Sequence, residues 1–188
     1  MGRLFYIMGK SASGKDTIYQ RLLRNPEFSL ERLVIYTTRP IRDGELDGRE
    51  YHFVTEEDFQ KLKAAGKIIE DRGYETVYGL WRYFTADNMD LEEKNYLGIG
   101  TLESYEKLKA YYGEEKIRPI YIEVEDGERL KRAIAREETQ EVPKYEEMCR
   151  RFLADAQDFS EEKIRQAGID CRFSIWTGWE DTLRLKSI

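Results

Sequence analysis

Apolar and polar positions follow two rhythms along this chain, and the switches between them mark its elements. Residues 3–8, RLFYIM, form a short β-prone apolar run that leads straight into a glycine-rich stretch. In DTIYQRLLR, Ile18, Leu22 and Leu23 recur at helical spacing until Asn25-Pro26 stops the pattern. RLVIY (32–36) predicts a second strand, and Pro40, Gly44 and Gly48 then punctuate a turn-rich segment that closes on EYHFV, a further strand. TEEDFQKLKAAGK predicts a capped helix, with Thr55 and acidic residues at its start and Gly66 at its end. KIIE and ETVYG read as short strands of a small excursion. NYLGIG (95–100) and IRPIYIEV (117–124) suit buried parallel strands, separated by the helical TLESYEKLKAYYG. Two charged helices follow, over 127–138 and 143–166, then a last strand in DCRFSIW and a short helix in EDTLRLKSI. Strands alternating with helices predict a three-layer α/β fold around a parallel sheet.

Composition narrows the functional classes. A chain of 188 residues is most simply one domain, and 40% hydrophobic with 36% charged residues describes a globular one. A net charge of -6 argues against a general binder of nucleic acid or anionic membrane. The N-terminal apolar run is too short for a signal peptide or a membrane span. Cys149 and Cys171 lack a metal-binding spacing, so reduced thiols of a cytoplasmic protein are expected. The single histidine, His52, leaves no material for a histidine metal cluster and reads as an ordinary strand residue.

MGKSASGKDT, between the first strand and the first helix, supplies G-x-x-x-x-G-K at Gly9, Gly14 and Lys15. Glycines let the N–H groups of Ser11, Ala12, Ser13 and Gly14 curl around phosphate oxygens, and the helix N-terminus adds the positive end of a dipole. Lys15 then bridges the β- and γ-phosphates during transfer. The position after Lys15 is Asp16, followed by Thr17. A carboxylate there repels phosphates unless a divalent cation lies between, so Asp16 reads either as an Mg²⁺ ligand or as a charge that favours the helix start. Further on, TTRPIRDGELDGREYHFV carries Arg39, Arg42 and Tyr51. Two guanidiniums and a phenol that converge could hold a phosphate, although a charge pair in a loop is more often solvated surface.

That segment, placed after a strand–phosphate-loop–helix unit, resembles the acceptor-binding stretch of guanylate kinases, close to S-x-T-T-R-x-P-R-x-G-E-x-x-G-x-x-Y-x-F-V. The resemblance implies a P-loop kinase fold with a central parallel sheet (1–33, 87–125, 152–188), a small mixed α/β nucleoside-monophosphate-binding insertion (34–86) and a helical lid (126–151). It implies ATP as donor and GMP as acceptor, giving ADP and GDP with Mg²⁺, in a monomer or homodimer. By the same resemblance Glu70 in KIIED reads the guanine edge and Tyr78 in VYGLW binds the acceptor phosphate. Arg132 and Arg136 in RLKRAIAREE and Arg151 in CRRFLADAQDF fold over the phosphates during catalysis; without the resemblance they read as charged helix surface.

The likeness weakens around the acceptor base and the metal. Ile35 and Leu80 stand where the family carries hydroxyls, and Gly98 and Gly100 stand where it carries two strand aspartates. Asp16 could then replace the missing charge beside Mg²⁺. Two other readings follow: a P-loop kinase of another acceptor, such as ribose 1,5-bisphosphate or a deoxynucleotide, and a non-catalytic guanylate kinase-like binding module. The intact glycines and Lys15 speak against the module.

Overall fold

The structure is a computed structural model that describes residues 2–76 and 78–174. Its main sheet holds β1 (Leu4–Met8), β2 (Leu30–Arg32), β7 (Asn95–Ile99), β8 (Ile117–Glu123) and β9 (Arg172–Ser174), in the order β2-β7-β1-β8-β9, all neighbours parallel. A smaller mixed sheet orders β4 (His52–Phe53), β3 (Tyr36–Thr37), β6 (Gly79–Ala86) and β5 (Ile68–Thr76). Six α-helices are described: α1 (Lys15–Arg24), α2 (Glu56–Ala64), α3 (Leu102–Tyr112), α4 (Asp126–Glu138), α5 (Tyr145–Asp158) and α6 (Glu161–Gln166).

The three layers follow from side-chain alternation in β1. Leu4, Tyr6 and Met8 face a core with Tyr105 and Leu108 of α3 and Ile164 of α6. Ile7 faces the other side, against Ile18 and Tyr19 of α1, Leu97 and Ile122. The small sheet has its own core, in which Phe59 of α2 meets Phe84 of β6 edge to face with ring centres 5.0 Å apart. Helix α2 begins as its sequence predicts: Thr55 accepts from the N–H of Asp58, whose carboxylate accepts from the N–H of Thr55.

Three expectations need correction. The strand over 32–36 does not form as one piece. Leu33 donates its N–H to Leu97 O on the main sheet, whereas Ile35 O accepts from His52 N–H on the small one, so the chain changes sheets within the run. KIIE does not end at Glu70: one strand, β5, runs on through Glu75 and Thr76 of ETVYG, while Gly79 of that run opens β6, which pairs with β5 from Ile68 to Thr76 across a register shift between Ile68 and Glu70. The helix over 143–166 breaks in two: Phe159 turns inward to stack on Tyr121 at 5.7 Å, and Ser160 caps a new helix by accepting from Lys163 N–H. The last strand is present as β9, and the helix expected in EDTLRLKSI lies outside the described residues.

Candidate active site

The loop after β1 is shaped by its glycines. A Cβ on Gly9 would stand 2.6 Å from Ile122 O and 2.9 Å from Ser13 Oγ, so only glycine lets the loop pass this close to β8. Gly14 has φ 84° and caps α1 in the left-handed region; Ala12 holds φ 60° without being glycine. Lys15 opens α1 with its ammonium 3.8 Å from the Asp16 carboxylate, which is 85% exposed. Thr17 is exposed beside it. Ser13 is buried, and its Oγ has no hydrogen-bond partner among the described residues.

What fixes this loop is a residue that sequence reasoning missed. Arg129, on α4, is 1% exposed. It donates to Ser11 O at 2.8 Å, to Asp155 of α5 at 3.2 Å and to Asp126 at 2.8 Å, and its guanidinium lies 4.6 Å from the ring centre of Phe152. Asp155 in turn accepts from Ser11 N–H at 2.8 Å. The loop is thus clamped through both backbone groups of Ser11 to α4, within the expected lid, and to the part of α5 that lies beyond it. The Arg129 guanidinium, as hydrogen-bond donor, holds the Asp126 carboxyl below its usual range. The only signal in the sequence was Asp126 three residues before Arg129, a spacing indistinguishable from any surface helix pair.

On the small sheet, Arg39 and Tyr51 do come together. Arg39 is 3% exposed; its guanidinium sits 5.4 Å over the Tyr51 ring and 5.5 Å over Phe53. It donates bidentately to Glu45, at 3.0 and 2.8 Å, and to Pro40 O at 2.8 Å. Glu45 also accepts from the Arg42 N–H at 2.8 Å, while the Arg42 side chain is exposed. Arg39 holds the Glu45 carboxyl below its usual range. Glu45, which the sequence reading assigned no role, is therefore the pivot of this segment. Tyr78 stands differently: it is 82% exposed and stacked on Trp81 at 6.1 Å.

Glu70 is buried on β5, the edge strand of the small sheet. Thr85 Oγ1 donates to it at 2.9 Å, and Arg72 Nε lies 3.3 Å away without the alignment of a hydrogen bond. The expected lid arginines stand beside carboxylates, Arg136 and Arg151 exposed and Arg132 partly buried: Arg132 with Glu128 at 3.3 Å, Arg136 with Glu137 at 3.9 Å, and Arg151 with Glu147 at 2.7 Å. Glu147 is held down to about 2 by Arg150 first and Arg151 second.

The two strand glycines have a structural cause. Gly98 pairs with Tyr6, and a Cβ there would stand 2.6 Å from the Tyr6 ring and 3.0 Å from Leu33. A Cβ on Gly100 would land on the Tyr6 hydroxyl. Burial first, and the charge of Glu70 second, push the Tyr6 phenol up, so it stays protonated.

A parallel sheet whose central strand runs through a glycine-and-lysine loop into the first helix defines the P-loop class of α/β proteins. Within that class the chain belongs to the guanylate kinase family, whose model matches residues 1–163. It is 36% identical over 124 residues to a guanylate kinase of Wolbachia sp. subsp. Brugia malayi, a match covering 65% of this chain and 60% of that one, under two thirds of the relative's length. It is 31% identical over 157 residues to a guanylate kinase of Wolbachia pipientis, covering 83% and 75%. In fold it is similar to the crystal structure of guanylate kinase from Anaplasma phagocytophilum, with TM-score 0.58 and 21% identity over 92% of this chain and 76% of that one.

Proposed function

We propose that this chain transfers the γ-phosphoryl group of ATP to GMP, giving ADP and GDP. The observation that carries the reading is the pairing of two phosphate-suited constellations in one fold: the clamped Gly9–Lys15 loop at the carboxyl end of β1, and the Arg39–Tyr51 segment on the small sheet. Ligands of open α/β sheets bind at that end, where strand order reverses. In this reading the donor phosphates lie against the N–H groups of Ala12 and of Gly14 to Thr17, those of Ser11 and Ser13 being taken by Asp155 and Lys10 O, and Lys15 bridges the β- and γ-oxygens. Arg42, Tyr51 and Tyr78 receive the acceptor phosphate, and Arg39, tied to Glu45, sets their geometry and adds charge. Glu70 accepts from the guanine edge. Arg132, Arg136 and Arg151 exchange their surface carboxylates for phosphate oxygens as the lid closes and excludes water.

The strands of the small sheet all fall within 36–86, which supports 34–86 as the acceptor-binding region, with 126–151 as the lid and the remainder as core. Mg²⁺ suits the donor set at the head of α1: an exposed carboxylate on Asp16 and a hydroxyl on Thr17, both hard oxygen ligands. It would supply charge neutralisation between the phosphates, held mainly by the nucleotide. No helix among the described residues is long and apolar enough to cross a membrane, and both cysteines are exposed thiols, which fits work in the reducing cytoplasm as a monomer or homodimer.

The test is ADP release with ATP, Mg²⁺ and a panel of GMP, dGMP, AMP, IMP and ribose 1,5-bisphosphate. Turnover of GMP well above the others, lost at least a thousandfold in Lys15→Ala with the melting temperature kept, is the expected outcome. Turnover of ribose 1,5-bisphosphate alone would move the acceptor to a sugar phosphate, and no turnover would favour a binding module.

A further inference from the structure

We propose that Arg129 is a positioning residue for phosphoryl transfer: by docking the base of α4 on the Gly9–Lys15 loop, it stations Arg132 and Arg136 on the side of the helix that faces the loop. The inference rests on transfer from ATP and on the lid role proposed for those two arginines, whichever acceptor is used.

Fixing Ser11 is one effect of the clamp, and holding α4 is the other. The planar guanidinium of Arg129 spends its donors in two directions. Nη1 serves Ser11 O and Asp155, while Nε and Nη2 donate to one Asp126 oxygen at 3.1 and 2.8 Å. The Phe152 ring of α5 lies under the same group. A buried fork held by these four hydrogen bonds cannot turn without breaking them, so the first turn of α4 is fixed in height and in rotation. Asp126 also meets Lys10 of the loop at 3.4 Å, but its side chain is 53% exposed and that tie adds less.

From that base rises a row of arginines. Arg129, Arg132 and Arg136 recur at i, i+3 and i+7, which at 3.6 residues per turn puts them within about 60° of one another around the helix axis. Arg132 stands about 4.5 Å and Arg136 about 10.5 Å beyond Arg129 along that axis. Their side chains are 1%, 24% and 54% exposed in chain order. The face therefore starts buried against the loop and emerges stepwise as it leaves it. The carboxylates beside the outer two, Glu128 and Glu137, belong to α4 itself, so exchanging them for phosphate oxygens takes side-chain rotation and no shift of the helix base. Misplacing a charge-neutralising group by about 1 Å can cost up to about a hundredfold in rate, so the placement of this row counts as much as its charge.

The test is a double-mutant cycle on kcat at saturating ATP, Mg²⁺ and the best acceptor, followed with γ-labelled ATP so that slow variants are still read. One arm is Arg129→Lys, which keeps the charge and breaks the fork. The other is Arg132→Ala with Arg136→Ala, which removes what Arg129 is held to position. Arg129→Lys alone should lower kcat about twentyfold, and in the background of the pair it should lower kcat further by less than about twofold. An equal loss in both backgrounds would show that Arg129 acts on the loop alone. No loss in either would remove it from the transfer step. Both outcomes overturn the proposal. Urea unfolding shows which variants are folded in the assay. Where Arg129→Lys is not, Asp155→Asn takes its place, because Asn still accepts from Ser11 N–H while its bond to the guanidinium loses its charge. The same cycle should then show a loss of about fivefold that is again absent without the two outer arginines. An unsubstituted chain that transfers phosphate to no acceptor would instead overturn the proposed function, and the role of Arg129 with it.

Discussion

In the proposed reading Gly9–Lys15 offers its ligand backbone N–H groups and one ammonium, whereas Arg39–Tyr51 offers side chains steadied by other side chains. The first surface depends on chain path: Gly9 must pass Ile122, Gly14 must take φ 84°, and Ser11 must be held from both sides by Arg129 and Asp155. The second depends on a lattice of contacts, with Arg39 between two rings and bidentate to Glu45. A backbone cradle reads phosphate and little else, so it can serve any nucleoside triphosphate. Side-chain pockets discriminate, because each contact depends on the identity of the residue that makes it.

The contrast can be broken most forcefully at the clamp. Arg129→Met should lower stability by about 3 kcal/mol, because Asp126 and Asp155 lose their shared partner and Asp155, with its side chain 14% exposed, is only partly reached by water. Urea unfolding measures it, and the KM for ATP should rise more than that for GMP. An equal rise in both would mean that the clamp serves the whole molecule rather than the loop.

On the other side, Arg39→Ala should cost about 2 kcal/mol and weaken GMP binding about a hundredfold while ATP-analogue binding holds. The same tie carries a pH signature. Arg39 lowers the folded-state pKa of Glu45, so the contribution is present above the ordinary value of 4.5 and is lost as pH falls below it. Melting temperatures followed from pH 6 to pH 3 should drop less steeply in Glu45→Gln than in the unsubstituted chain; parallel curves would show that the pair is not coupled to folding.

The smallest effect is expected at Asp16. Asp16→Asn should raise the Mg²⁺ concentration for half-maximal rate about fivefold and change metal-free ATP-analogue affinity by less than about twofold. Equal changes in the two would mean that the carboxylate acts on the helix terminus and not through the metal.

These two regions also differ in how far they could be read from the sequence. The glycine loop was legible because its determinants are local: β1, two glycines, Lys15 and the start of α1 lie within one stretch. The Arg39 segment was legible as a pattern, but the role of Glu45 was not, since an acidic residue in a turn resembles any solvated one. Tyr6 read as one more apolar strand residue, because alternation shows that it points inward and not that its hydroxyl reaches Gly100 across a neighbouring strand. Strand β6 went unread because its run, GLWRYFTA, mixes Arg82 and Thr85 with aromatics; each bonds a partner far away in sequence, Glu56 and Glu70. Arg129 was hidden for the same reason, with its burial set by α5 and the loop and not by its own helix.

The Arg129–Asp155 clamp also bears on when the Gly9–Lys15 loop is finished during folding. The bond from Ser11 N–H to Asp155 closes over 144 residues, and that from Arg129 to Ser11 O over 118. Contacts of such separation carry a large loop-closure cost and form late relative to helices and hairpins. A ribosome releases Gly9–Lys15 long before α5, so the emerging chain holds β1 and its loop as an unsecured segment until Asp155 arrives. On the proposed function, competence to bind nucleotide is tied to completion of the domain, and a chain halted before α5 would expose a glycine loop that lacks its clamp.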